Sequence, residues 1–382
     1  MRREHQSSVV AVTRTLQRSG GTFVPFCEYA MTLFCSHALI LRSLMICILI
    51  TTTSTFAADQ VTRISDGETI RGEFKTLSKT QIVITRSNDQ SETISPANIY
   101  DIRFHREPPP LQTARSSERN GSYKAAIGQL QEVKAEYAGS DRRVPIEIDF
   151  LTARCHARRA LSNPEETAVA LESLQLFAQQ HAENYRTLEA RLLQAQLLIE
   201  FDRVQGRKLL KQLRNCRVEG FEVQAGLILG HALLEEDQVD QAMQIFYVVT
   251  GKSAENPTLQ ILHYDSRIGR AECFQRQNRW PQALETLKAV IAEVPEDEEP
   301  ILAKAWNDMG DCYRLSNQPQ GALMAYLHVD ILYSNVPVEH AEALHRLGAL
   351  WEDTGHPDRS HDARSRLQAQ YPQSPWVRQV SN

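Results

Sequence analysis

The stretch KAWNDMGDCYRLSNQPQGALMAY, Lys304 to Tyr326, decides the architecture. Trp306, Met309, Gly310 and Tyr313 recur at spacings that place them on one face of a helix. The polar run Asn317 to Gln320 breaks that periodicity, and Ala322 and Tyr326 then begin a second helical face. Two helices joined by so short a break form an antiparallel hairpin whose apolar stripe the pair cannot bury alone, so neighbouring hairpins must stack.

The pattern recurs on both sides. Downstream, Leu347, Gly348, Trp351 and Gly355 are followed by Leu367 and Pro372. Upstream, Ala271, Phe274, Ala283, Leu287 and Pro295 keep the offsets, as do Gly230, Leu233, Ala242 and Phe246, and more faintly Leu193, Leu197, Gly206 and Leu210. The second-helix pivots Gly206, Ala242, Ala283, Ala322 and Ser360 follow one another at nearly equal intervals, slightly longer than a common helical-hairpin repeat. Gly121, Tyr123, Ala126, Ile127 and Leu130 show the second half of an earliest unit. The distance from Ala126 to Gly206 is twice the usual interval and leaves room for one degenerate unit around Cys155 to Phe177. Small residues at the pivots let helix backbones approach, aromatic residues fill the space beside them, and Pro295 and Pro372 end second helices.

This pattern, running from Tyr123 to Tyr371, resembles the tetratricopeptide repeat family, in a bacterial exported form. The family repeat is about 34 residues, so the longer spacings here imply longer loops or helices. The expected fold is mainly α: an α-solenoid of about six to seven such hairpins over residues 114–382, preceded by a small five-stranded β domain over residues 58–106. Glu107-Pro108-Pro109-Pro110 reads as a stiff, extended Pro-rich linker over residues 107–113.

The β segment alternates as strands do: Val61 to Ile64, Thr69 to Phe74, Gln81 to Thr85, Glu92 to Ile94 and Ile99 to Phe104, with Asp66-Gly67 as a hairpin turn. Its layout resembles Sm-like and Src-homology-type barrels. Gly67 to Gly72 spells G-x-x-x-x-G, but no Lys-Ser/Thr follows, so it is not a phosphate loop. The segment has too few apolar residues for a large core of its own and is expected to lean on the first helices.

The N-terminus reads as an export signal behind surplus sequence, residues 1–57. Arg42 precedes the apolar run Leu44 to Ile50, and Thr55-Phe56-Ala57 offers a small-x-small cleavage site before Ala58 or Asp59. Met31 is the expected natural start. An uncleaved anchor over residues 37–57 is the alternative; Arg42 interrupts its only candidate window. Removing these residues takes away five Arg and two Glu, so the formal charge of −5 becomes −8. A mildly acidic mature chain does not suit nonspecific nucleic-acid binding.

Catalytic constellations are missing from the sequence. G-x-S-x-G, H-E-x-x-H and glycine-rich phosphate cradles do not occur. His340, His345, His356 and His361 read as solvated or turn positions, and Glu296 to Glu299 as a solvated acidic turn that caps the next helix. Cys273 and Cys312, at equivalent positions of successive first helices, read as packing residues. Arg154, Arg158 and Arg159 form a basic helix edge. No enzyme activity, cofactor, metal or small-molecule substrate is expected.

Two function classes follow. The resemblance implies a protein or peptide partner held in a groove lined by polar first-helix residues that do not serve the core. On the matching offsets these are Lys304, Asn307, Asp311 and Arg314; Asp265, Glu272, Gln275 and Arg276; and Glu342, His345, Glu352 and Asp353. In this reading the chain is an exported scaffold or adaptor, periplasmic or in the cell envelope. In the other it is a structural subunit of an envelope assembly, with the array as spacer and the β module as docking element. A polar outer face on the segment Pro357 to Tyr371 marks it as a capping helix and favours a closed array.

Overall fold

The computed structural model describes residues 58–380. Five short strands come first: β1 (Asp59–Arg63), β2 (Thr69–Leu77), β3 (Ile82–Thr85), β4 (Ser91–Ile94) and β5 (Ile99–Arg103). They form one antiparallel sheet in the order β4-β3-β2-β1-β5. Gly67, at φ +67°, makes the β1–β2 turn. Gly72 sits on β2 where a Cβ would run into the Thr85 backbone, so both glycines of G-x-x-x-x-G serve the sheet.

Among the described residues the rest of the chain is helical. The first helices of seven successive hairpins are α1 (Pro109–Arg119), α3 (Arg143–Ala160), α5 (Thr187–Phe201), α7 (Glu219–Glu235), α9 (Gln260–Arg276), α11 (Glu299–Leu315) and α13 (Pro337–Asp353). Their partners are α2 (Tyr123–Glu136), α4 (Thr167–Gln180), α6 (Arg203–Leu213), α8 (Val239–Ser253), α10 (Trp280–Glu293), α12 (Pro319–Leu332) and α14 (Pro357–Gln370), and a short α15 (Pro375–Val380) follows. The unit expected around Cys155 to Phe177 is the α3–α4 hairpin. The turns inside five of the hairpins each carry one left-handed residue: Gly121, Asp237, Asn278, Asn317 and Gly355. Only glycine and short polar side chains tolerate that conformation cheaply, and it closes the preceding helix.

Two boundaries differ from what the sequence implies. The proline run is not an extended linker: Pro108 is the N-cap of α1 and Pro109 and Pro110 lie in its first turn, where a missing N–H leaves no bond unmade. This supplies the first helix of the earliest hairpin. The segment Pro357 to Gln370 is not the last helix, because Trp376 and Val377 of α15 join the apolar cluster that α13 and α14 share.

The array is held together by successive apolar clusters. The largest joins Val61, Ile70, Ile84, Ile102 and Phe104 of the sheet segment to Leu111, Leu130, Ile148, Phe150 and Phe177 of α1 to α4, so the sheet does lean on the two earliest hairpins. Along the row each first helix packs against the next first helix, and each second helix except α14 packs between two first helices. Contact within the row of first helices leaves their outward positions on one continuous face, the inner face of the row.

Glycines set the helix approach. Phe246 of α8 is wedged between Gly230 and Gly269, whose Cβ positions would lie 2.6 and 2.5 Å from its Cε1. Tyr326 of α12 covers Gly310 in the same way, completely buried. Cys155, Cys273 and Cys312 are buried free thiols, and burial pushes the pKa of each up to about 12.

Candidate functional site

The polar positions of α9, α11 and α13 line up along the inner face because the repeats are nearly equal in length. Asp265, Lys304 and Glu342 occupy equivalent positions of successive first helices and form one rail; His231, Glu272 and Asp311 form a second. Lys304 Nζ bonds Asp265 Oδ1 at 2.7 Å and lies 3.7 Å from Glu272 Oε1, so one ammonium bridges both rails. His231 Nδ1 approaches Glu272 Oε2 at 3.7 Å. Burial works to lower the Lys304 pKa, but Asp265 and Glu272 outweigh it and raise it. Burial also works to raise Glu272, yet Lys304 and His231 bring it down to about 2.

One hairpin further on the balance reverses. Asp311 accepts from the Tyr326 hydroxyl at 2.6 Å and from Arg314 at 3.0 Å, and lies 3.2 Å from Arg346 Nη2. Arg346 also meets Glu342 at 3.3 Å. Asn307 Nδ2 donates to the Glu339 carbonyl at 2.9 Å and to Glu339 Oε2 at 3.0 Å. Burial raises the Glu339 carboxyl and pushes Glu342 up to about 7 despite Arg346. Asp308 is raised well above the carboxylate range, first by burial and then by Glu272.

Of the twelve residues expected to line a groove, seven meet in this ladder: Asp265, Glu272, Lys304, Asn307, Asp311, Arg314 and Glu342. Gln275 instead is buried and donates to the Asp308 carbonyl at 2.8 Å, tying α9 to α11. His345 lies against Trp376 of α15, with ring centroids 5.1 Å apart. Arg276, Glu352 and Asp353 are solvent-exposed, and Glu352 turns to Arg364 of α14 at 3.4 Å. Sequence reasoning missed Asp308, Glu339 and Arg346. The signal was present, since Lys304, Asp308 and Asp311, and likewise Glu339, Glu342 and Arg346, recur at helical spacings that put them on the same face.

Other polar groups turn inward. Arg154 pairs with Glu118 at 2.6 Å and Glu189 at 2.9 Å, so it is a structural residue rather than part of a free basic edge. Glu189 also takes Arg186, 2.9 Å away, and Arg186 meets Glu147 at 3.0 Å, with the Arg186 and Glu147 side chains each only 2% exposed. The Tyr185 hydroxyl donates to Glu147 at 2.5 Å. Arg115 of α1 donates to the Ile102 carbonyl of β5, and Arg143 of α3 bonds Asp59 of β1 at 2.6 Å. His340, expected on a solvated face, is buried, with Nε2 2.8 Å from Asp330 and Nδ1 2.7 Å from the Tyr371 hydroxyl.

These observations define a class of protein: a helical-hairpin solenoid with a small antiparallel sheet built onto its N-terminal end and a charged ladder along the first helices of its C-terminal hairpins. Residues 265–297, the α9–α10 hairpin, match the tetratricopeptide repeat. No curated protein matches the chain. Among solved structures, the type IV pilus biogenesis factor PilW is similar at 16% identity and a TM-score of 0.45, over 64% of this chain and 100% of that one. A tetratricopeptide repeat protein from Parabacteroides merdae is similar at 13% identity and a TM-score of 0.47, over 68% and 91%. A Rap protein complexed with competence and sporulation factor is similar at 11% identity and a TM-score of 0.48, over 70% and 77%.

Proposed function

We propose that this chain is a non-enzymatic, exported adaptor that holds an extended protein or peptide segment against the inner face of α9, α11 and α13. The observation that carries this reading is the ladder itself. Three consecutive first helices set charged, half-buried side chains at one-per-hairpin intervals on a face the apolar core does not use. A repeat that only spaces two ends apart has no need of such a face. The β module packs on the N-terminal hairpins, and its Ala97 reaches Gly220 at the start of α7, so it leaves the C-terminal first helices open. Export rests on Arg42, the apolar run Leu44 to Ile50 and the site at Thr55 to Ala57, all outside the described residues. Among the described residues no helix is long and apolar enough to cross a membrane.

The test is positional photo-crosslinking in the native host. A photoreactive amino acid at position 311 or 342 should trap a specific partner, and the same group at Ile331, 70% exposed on α12, should not. Equal trapping at all three positions, or at Ile331 alone, would move the binding surface off the inner face.

A further inference from the structure

The ladder is not electrically balanced. Asp265, Glu272, Asp308, Asp311, Glu339 and Glu342 face Lys304, Arg314 and Arg346, with the His231 imidazole beside Glu272 and Asp265, and the two carboxylates nearest Lys304 already take its ammonium. The Asp308 carboxylate makes no hydrogen bond or ion pair within the described residues, and its Oδ2 is shielded from solvent without a partner. Asn307, 3% exposed, has both Nδ2 bonds on Glu339 and nothing on Oδ1. Arg346 Nε is also without a partner, but its guanidinium is already engaged by Asp311 and Glu342. On α11 the unmet demand is thus for a donor: two acceptor oxygens, on adjacent residues, beside surplus carboxylates.

Resting on the reading of this face as a partner groove, we propose that it selects a segment bearing lysine or arginine, with a basic side chain entering along α11 to donate to Asp308. An ammonium or guanidinium supplies charge and hydrogen-bond donors at once, which an acidic or purely apolar segment does not. A backbone N–H would meet the acceptors but not the charge. Burial is the main reason the Glu342 and Asp308 carboxyls are raised, and a bound cation would favour their charged forms.

Fluorescence anisotropy of the full-length chain with labelled oligolysine tests this, with labelled oligoglutamate as the opposite probe. The double variant Asp308→Asn/Glu342→Gln should bind oligolysine about tenfold more weakly, the scale expected when one half-buried ionic interaction is removed. The control Glu296→Gln/Asp297→Asn removes two charges from an acidic turn outside the groove and should bind as the parent does. Oligoglutamate should not bind any of them. Circular dichroism keeps the comparison to folded protein, and the single variants serve if the double one unfolds. Equal weakening in the groove and control variants would mean nonspecific attraction and overturn the proposal, as would unchanged binding in the groove variant. If positions 311 and 342 still trap a partner while the neutralised chain keeps its affinity for oligolysine, the groove stands and only the basic class of its occupant fails.

Discussion

Gly310→Ala isolates the close crossing of α11 and α12. A Cβ at Gly310 would lie 2.7 Å from Tyr326 Cζ and 2.8 Å from Cδ1, and closer still to Cε1. The ring therefore has to retreat by roughly 1 Å to reach ordinary contact. It has little room to do so, being wholly buried and tethered by its hydroxyl to Asp311 at 2.6 Å. Overpacking of this kind costs about 1–3 kcal/mol, and a ring displaced far enough to lose the charged acceptor forfeits about 1.5–3 more. Against this, alanine gains about 1 kcal/mol over glycine inside a helix. The net expectation is a loss of about 1–3 kcal/mol in urea unfolding followed by circular dichroism. In a Tyr326→Leu background the clash disappears while the helical gain remains, so the same substitution should be neutral or stabilising by up to about 1 kcal/mol. Equal costs in both backgrounds would refute the crossing as the reason for glycine here.

Four further outcomes are expected. Arg186→Met should cost about 3–5 kcal/mol in the same assay, because it leaves Glu147 buried without its main counter-charge. Glu342→Gln should stabilise the chain mainly above about pH 7: the folded-state pKa of about 7 lies above the ordinary value of 4.5, so the parent loses stability as pH rises between them, on the order of 3 kcal/mol, and urea melts at pH 5 and 8 read the difference. Asp330 behaves oppositely. Burial works to raise it, but hydrogen bonds from His340 and Arg366 bring it to about 2, so its contribution, about 2 kcal/mol, is full above pH 4 and lost as pH falls toward 2; Asp330→Asn should flatten that part of the acid transition. Expression of residues 31–382 in a bacterial host should yield an exported product that begins at Ala58 or Asp59, and N-terminal sequencing that finds Met31 intact would refute cleavage there.

The hairpins were legible because their demands are local. Small residues at Gly310, Ala283 and Ala322, and the left-handed turn residues Asn317 and Gly355, are fixed by geometry within one repeat. So were the five strands, from alternation and the Asp66-Gly67 turn. The proline run misled because prolines suit an extended chain and a helix's first turn equally, and only the sheet and α3, against which α1 packs, choose between them. The groove residues were half legible for the opposite reason. Which side of a first helix is polar can be read from helical spacing, but whether Gln275 bridges helices or Glu352 turns to α14 depends on rotation against neighbours on other helices. His340 illustrates the same limit: its burial follows from Asp330 and Tyr371, which flank it from outside its own helix.

The buried guanidinium and carboxylate chain from Arg115 through Glu147 and Arg186 to Arg154 and Glu118 gives the array a direction. It fastens the sheet and the first three hairpins through charges that cannot be exposed one at a time, while the last hairpins depend on nearest neighbours and a short terminal helix. A solenoid anchored at one end frays from the other, so amide exchange should be fastest in α13 and α14 and slowest in α3. The charged ladder lies in the part that opens first. A segment spanning α9, α11 and α13 would clamp that fraying end, so occupancy would be written into the lifetime of the C-terminal hairpins, far from the module that anchors them.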